Sequence, residues 1–73
     1  MIGSYPPDGP LPPRVREVLT GAARGETMRE TALRLHVSAS TVDKQRQVAV
    51  SRLGARNLAN AIAVAARQGL LDE

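Results

Sequence analysis

The chain has 73 residues and a net charge of +3, with ten Lys and Arg against seven Asp and Glu. A chain this short forms one small domain, because two independent cores need more residues. Its apolar residues are mainly Ala, Leu and Val, and it has no Phe or Trp with which to build a deep pocket. No paired carboxylates, ligand cluster or nucleophile stands out in the sequence. We therefore expect neither an enzyme nor a binder of a cofactor or other small-molecule ligand.

Cysteine and histidine usage narrows the class further. The chain has no cysteine, which excludes disulfides and thiolate zinc sites and fits a reducing compartment, so we expect a cytoplasmic protein. A single histidine, His36, does not assemble a histidine metal site, and we expect no metal ion. No apolar run approaches the roughly 18 residues of a membrane span, and residues 1–13 lack the regions of a signal peptide.

The basic residues indicate the kind of partner. Nine of the ten are Arg, whose guanidinium pairs bidentately with phosphate or carboxylate oxygens. A charge of +3 also serves solubility alone, so the charge by itself leaves the function open.

The first helix follows a proline-rich start. All five prolines lie within residues 1–13, and we expect residues 1–10 to be a disordered, flexible arm and residues 11–73 to be the domain. Pro13 suits the first turn of a helix that ends near Arg24 and Gly25. The apolar stripe of this helix consists of Val15, Val18, Leu19 and Ala22.

Capping signals predict three further helices. Thr27 and Glu30 form a capping box for a short helix over 28–35, with Met28, Ala32 and Leu35 turned inward. Ser38 or Ser40 caps a third helix, over about 39–53, whose inward residues are Val42, Ala49 and Leu53. Gly54 ends the third helix, and Asn57 starts a fourth over about 57–68, closed by Gly69. Because no segment alternates with a period of two, the sequence predicts an all-α fold, a four-helix bundle.

The connection between the second and third helices is short enough for a helix-turn-helix. His36 occupies the turn, and we interpret it as a turn residue rather than a ligand or a pH switch. Ala32 lets the two helices touch, while Val37 and Val42 hold the turn and the third helix to the core.

Several stretches together match a known family: LPPRVREVL (11–19), Gly25, Glu30 with Ala32, LHVSASTV (35–42), RLGARN (52–57) and AIAVAARQGLL (61–71). They resemble the LuxR/GerE-type DNA-binding domain, a four-helix module of bacterial transcription regulators. Thr31 departs from the Ile usual in that family, Asp43 from a common Lys or Arg, and Gln45 from a frequent His. No receiver or ligand-sensor domain is present, so we expect a stand-alone DNA-binding domain.

The third helix carries the candidate reading face. With Val42 and Ala49 inward, its outward residues form a polar face free of bulky apolar groups: Ser40, Asp43, Lys44, Gln47 and Ser51. The resemblance implies that Asp43, Lys44 and Gln47 reach base edges. By chemistry, Gln47 suits adenine, Lys44 suits guanine or a phosphate, and Asp43 suits the cytosine amino group. A plain solvated helix is the alternative for this face.

Phosphate contacts need cations and donors around the reading face. The candidates for the DNA backbone are Thr27, Arg29, Ser40, Thr41, Arg46, Ser51, Arg52 and Arg56. We assign Arg24 and Arg34 instead to solvent or to intramolecular pairs with Glu17 and Glu30.

The fourth helix has a wider apolar surface than one core contact requires. The resemblance implies that this helix forms a two-fold dimer contact, for which the candidates are Leu58, Ala61, Ile62, Ala65 and Ala66. Its alanines also raise helix propensity without any partner. We therefore expect a regulator that binds double-stranded DNA in the major groove as a homodimer. The alternative is a protein-interaction module of the same fold that binds RNA polymerase or another regulator.

Overall fold

The computed structural model describes residues 10–72, which form four helices and no strand. The helices are α1 (Pro13–Ala23), α2 (Met28–Leu35), α3 (Ala39–Arg52) and α4 (Leu58–Arg67). The predicted all-α, four-helix fold is confirmed, and the helix ends lie within about two residues of the predicted ones. The predicted arm lies outside the described residues, apart from Pro10. None of the described helices is long and apolar enough to cross a membrane.

Side-chain caps set where three of the helices begin. At α2, Thr27 N–H donates to Glu30 Oε1 (2.8 Å) while Glu30 N–H donates to Thr27 Oγ1 (3.1 Å), which is the predicted capping box. Ser38, rather than Ser40, caps α3, because its Oγ accepts from the N–H of Thr41 (3.1 Å). The α4 cap is as predicted, with Asn57 Oδ1 accepting from the backbone N–H three residues on. These bonds satisfy N–H groups that a helix start leaves without partners.

The turn between α2 and α3 depends on His36. This residue closes α2 in the left-handed conformation, with φ of 60° and ψ of 43°. Its N–H and that of Val37 bond back to carbonyls in the last turn of α2. The chain thus reverses within three residues, and α3 begins at once across α2.

The core consists of two clusters that share α1 and α3. Leu11, Val15, Leu19 and Ala49 pack with two buried residues of α4, whereas Val18 and Val42 pack with Ala32 of α2. Both α2 and α4 therefore rest against the α1–α3 pair. This packing holds α3 along one side and leaves its other side open.

One predicted inward residue needs correction, and two others are a matter of degree. Met28 is 37% exposed, because it is the first residue of α2 and lies beside an open groove rather than over the core. Leu35 and Leu53 are half-buried and pack against the cluster margins.

Glu26, in the connection between α1 and α2, forms hydrogen bonds with residues of α1, α2 and α3. Its carboxylate accepts from Arg34 Nε and Nη2 (both 2.9 Å) and from the hydroxyl of Thr31 (2.7 Å), a fully buried residue. Hydrogen bonds from Arg34, then from Thr31, hold the pKa of Glu26 below its ordinary value of 4.5. Arg34 forms an intramolecular pair as predicted, but with Glu26 and not with Glu30, which is engaged in the capping box. Glu17 pairs with Arg14 (3.7 Å), and Arg24 is exposed, in agreement with the solvent alternative.

Candidate nucleic-acid interface

The outward side of α3 exposes every polar residue predicted for it: Ser40, Asp43, Lys44, Gln47 and Ser51. Apart from the adjacent Asp43 and Lys44, they are spaced by three or four positions, which sets them along one side of the helix. Asp43 and Lys44 carry opposite charges, so the centre of this face is close to neutral. The remaining exposed cations around it are Arg29, Arg52 and Arg56.

Two of the predicted base readers are joined to each other. Gln47 Nε2 donates to Asp43 Oδ2 at 2.9 Å, and both side chains are exposed. This bond leaves Gln47 with its carbonyl oxygen and one further N–H, and leaves Asp43 with a second oxygen. The pair therefore offers both donors and acceptors in one orientation, as recognition of a base edge requires.

Arg46 lies beside the reading face and bonds inward through one arm of its guanidinium. Its Nη2 donates to the backbone carbonyl of Glu26 at 3.1 Å, and its Nε is buried without a partner among the described residues. The side chain is half-buried and links the middle of α3 to the connection before α2. The prediction of Arg46 as a phosphate contact stays a prediction, and the bond to Glu26 gives this guanidinium a second role in positioning α3.

Val48 contradicts the expectation that the outward face is free of bulky apolar groups. It is 38% exposed and lies four residues after Lys44 and three before Ser51. The sequence contained the signal, because Val48 falls one turn from two residues already assigned to that face.

An open groove of about 430 Å³ runs beside α3. Met28 and Leu58, the first residues of α2 and α4, lie on it together with Val50, Asp43 and Gln47. Two helix N-termini therefore open next to the reading face. Helix N-termini favour anions, because their first N–H groups lack partners within the helix and the helix dipole is positive there.

Apart from Arg46, the cations and hydroxyls predicted to hold phosphates lie at or near the ends of α2, α3 and α4. Thr27 and Arg29 are exposed at the start of α2, Arg56 just before α4, and Arg52 at the end of α3. Thr41 is half-buried, and its hydroxyl lies 2.9 Å from Ser38 Oγ.

The predicted dimer surface on α4 is partly wrong. Ala61 and Ala65 have no exposed surface, because they pack against α1 and α3 in the larger core cluster. Leu58 and Ile62 are half-buried against the same cluster, and of the five only Ala66 is fully on the outside. The exposed small residues of α4 are Ala59, Ala63 and Ala66.

The short turn at His36, the crossing of α2 and α3, and the exposed polar side of α3 define a helix-turn-helix domain. The family model for bacterial regulatory proteins of the luxR family matches residues 9–65. The chain belongs to this family, and the resemblance read from its sequence is confirmed.

Individual relatives agree with this membership. Response regulator RamR of Streptomyces coelicolor is 42% identical over 60 residues, which cover 82% of this chain and 30% of RamR. Transcriptional activator protein BjaR1 of Bradyrhizobium diazoefficiens is 33% identical over 66 residues, covering 90% of this chain and 27% of BjaR1. The structure of the transcription factor GerE matches with a TM-score of 0.83 and 25% identity, over 88% of this chain and 96% of GerE. The chain thus spans less than a third of the length of RamR and of BjaR1.

Proposed function

We propose that this chain binds double-stranded DNA and regulates transcription, with α3 in the major groove. The observation that carries the proposal is the outward side of α3, where Asp43, Lys44 and Gln47 are exposed beside two helix N-termini. A major groove admits one α-helix, and its base edges are read by polar side chains of these types.

Each side chain has a role in this proposal. Gln47, held by Asp43, presents its amide to adenine, and the free oxygen of Asp43 accepts from a cytosine amino group. Lys44 contacts guanine or a phosphate. The DNA backbone is held by residues around the face, namely Thr27, Arg29, Ser40, Thr41, Arg46, Ser51, Arg52 and Arg56.

Binding to duplex DNA over a salt series tests the proposal. Neutralised phosphates release counterions, so affinity falls steeply as salt rises. We expect purified protein to shift a selected duplex in a gel at low salt and to lose about tenfold or more in affinity between 50 and 200 mM salt. A module that binds only RNA polymerase or another regulator would show little duplex affinity at any salt, and that result would overturn the proposal.

Replacing Gln47 separates base reading from general attraction. Gln47→Ala is expected to cost about 1–3 kcal/mol on the best site and to flatten the preference among sequences. Arg52→Ala is the matched control, since loss of a phosphate contact weakens all sequences alike and lowers the salt slope by about one. Uniform weakening by Gln47→Ala would remove Gln47 from base reading.

We also propose that the protein pairs through the exposed side of α4. Ala59, Ala63 and Ala66 have side chains small enough for two helices to approach closely, with the half-buried Leu58 and Ile62 alongside. A two-fold pair places two α3 helices about one DNA turn apart on an inverted repeat.

The pairing is tested by introducing a charge on the exposed side of α4. Ala63→Glu is expected to give monomers in sedimentation and to abolish the advantage of paired half-sites over a single one. Gln68→Glu adds a negative charge at the exposed end of the same helix and serves as the control. An Ala63→Glu protein that keeps the mass of a dimer would remove this side of α4 from the interface.

A further inference from the structure

Val48 is an apolar residue in a polar setting. Among the described residues, the exposed large hydrophobic side chains are Met28, Leu33 and Val48, and Val48 is the one on α3. It belongs to neither core cluster. Lys44 and Ser51 lie one turn before and after it on the outward face. Its exposed methyl groups therefore stand among the side chains proposed to face DNA.

Neither membership of a core cluster nor helix propensity accounts for a valine at this position. A β-branched side chain loses rotamer freedom in a helix, so it is less favourable there than Ala, Lys or Gln. Exposed methyl groups also gain nothing from water. The side chain gains free energy only when another apolar group covers it.

In the major groove, the C5-methyl of thymine is the apolar group displayed on the base edges. We propose that Val48 contacts a thymine methyl next to the base pairs read by Lys44 and Gln47. The inference rests on the proposed function. It adds an apolar residue that determines specificity to the polar residues that read base edges. Covering about one methyl group corresponds to roughly a fourfold gain in affinity.

Deoxyuridine substitution tests this contact, because it removes the methyl group and leaves base pairing intact. The best duplex is first selected from a randomised library with the full chain. Each thymine of that duplex is then replaced, one at a time, by deoxyuridine. With the unmodified protein, we expect one position in each half-site to lose about fourfold in affinity on losing its methyl group.

The same scan is repeated with Val48→Ala, which keeps the helix and shortens the side chain. The loss at that position is expected to disappear, while the salt dependence of binding stays the same. Leu33→Ala is the matched control, since Leu33 is 71% exposed but lies on α2, and it should keep the methyl sensitivity.

The outcomes separate the contact from DNA binding itself. The inference is overturned if a selected duplex contains no thymine whose methyl matters, or if Val48→Ala retains the full sensitivity. In both cases, specific binding survives and the proposed function stands. A protein that selects no duplex at all overturns the proposed function and this inference together.

Discussion

Replacing Glu26 by Gln tests the clamp that joins the α1–α2 connection to α2. The substitution keeps the size of the side chain but removes its charge and one of its two acceptor oxygens. The wild-type carboxylate takes two hydrogen bonds from Arg34 and one from Thr31. With its oxygen in the place of Oε1, Gln keeps the bonds from Thr31 and from Arg34 Nη2, and its NH2 group then faces the N–H of Arg34 Nε. With its oxygen in the place of Oε2, it keeps only the bond from Arg34 Nε.

The expected cost follows from burial. A hydrogen bond to a charged group contributes about 1.5–3 kcal/mol, but solvent reduces exposed ion pairs to about 1 kcal/mol or less. The Arg34 side chain is 41% exposed, whereas Thr31 is fully buried, so the Thr31 bond is the less screened part. We expect Glu26→Gln to lower the free energy of unfolding by about 1–2 kcal/mol. For a domain of this size, that corresponds to roughly 4–15 °C in Tm.

Urea unfolding followed by far-ultraviolet circular dichroism measures this difference at neutral and acid pH. The pKa of Glu26 is lowered in the folded chain, so its stabilisation is present above the ordinary value of 4.5 and is lost as pH falls through the folded-state pKa. The gap between wild type and variant should therefore be full at pH 7 and shrink as the pH falls below 4.5. Glu17→Gln, which removes an exposed pair at 3.7 Å, is the control and should cost less than about 0.5 kcal/mol. Equal stability of Glu26→Gln and wild type at pH 7, or a gap that stays constant with pH, would refute the clamp.

Three further substitutions test local features of the fold by urea unfolding. Gly21→Ala in α1 should destabilise the fold, although Ala normally favours a helix by about 1 kcal/mol. The reason is that its Cβ would overlap Glu26 Oε1 and lie 2.9 Å from Arg34 Nη2. A more stable variant would contradict this packing. His36→Gly should stabilise by roughly 0.5–1 kcal/mol, since it relieves a left-handed residue at the end of α2, and a loss of stability would show that the imidazole makes a needed contact. Ser38→Ala should cost about 1 kcal/mol through loss of the α3 cap, whereas Ser40→Ala should cost less; equal costs would assign capping to both.

Local signals predicted most of the fold. Prolines, side-chain caps and glycines act within one turn of the chain, so the helix starts at Pro13, Met28 and Leu58 follow from neighbouring residues. The side of a helix that is buried depends on what packs over it. Met28 therefore has an apolar side chain in an open groove. Ala61 and Ala65 are buried in the core, although the family resemblance implies that they lie in a dimer contact.

The same distinction between local signals and long-range packing applies to the candidate site. Spacing along α3 is sufficient to predict which polar residues are exposed, because helical geometry fixes which residues lie opposite the inward Val42 and Ala49. The partner of Arg34 and the inward turn of Arg46 depend on Glu26, which is eight residues before one and twenty before the other. Contacts at such separations follow from the crossing of helices, which periodicity does not specify. The exposure of Val48 could be predicted from the sequence, because Val48 lies one turn from Lys44 and from Ser51 on the same helix. The expectation of a uniformly polar face left it out.

The inward turn of Arg46 has a consequence for how the protein searches DNA. With one arm of that guanidinium engaged and Asp43 offsetting Lys44, we expect attraction to arbitrary duplex to come mainly from arginines at the rim of the reading face. In the proposed function, such a protein is expected to dwell only briefly on unrelated sequence. Substitutions of the arginines at the rim should therefore change the residence time on every DNA sequence. Substitutions in the middle of α3 should instead change which sequence is preferred.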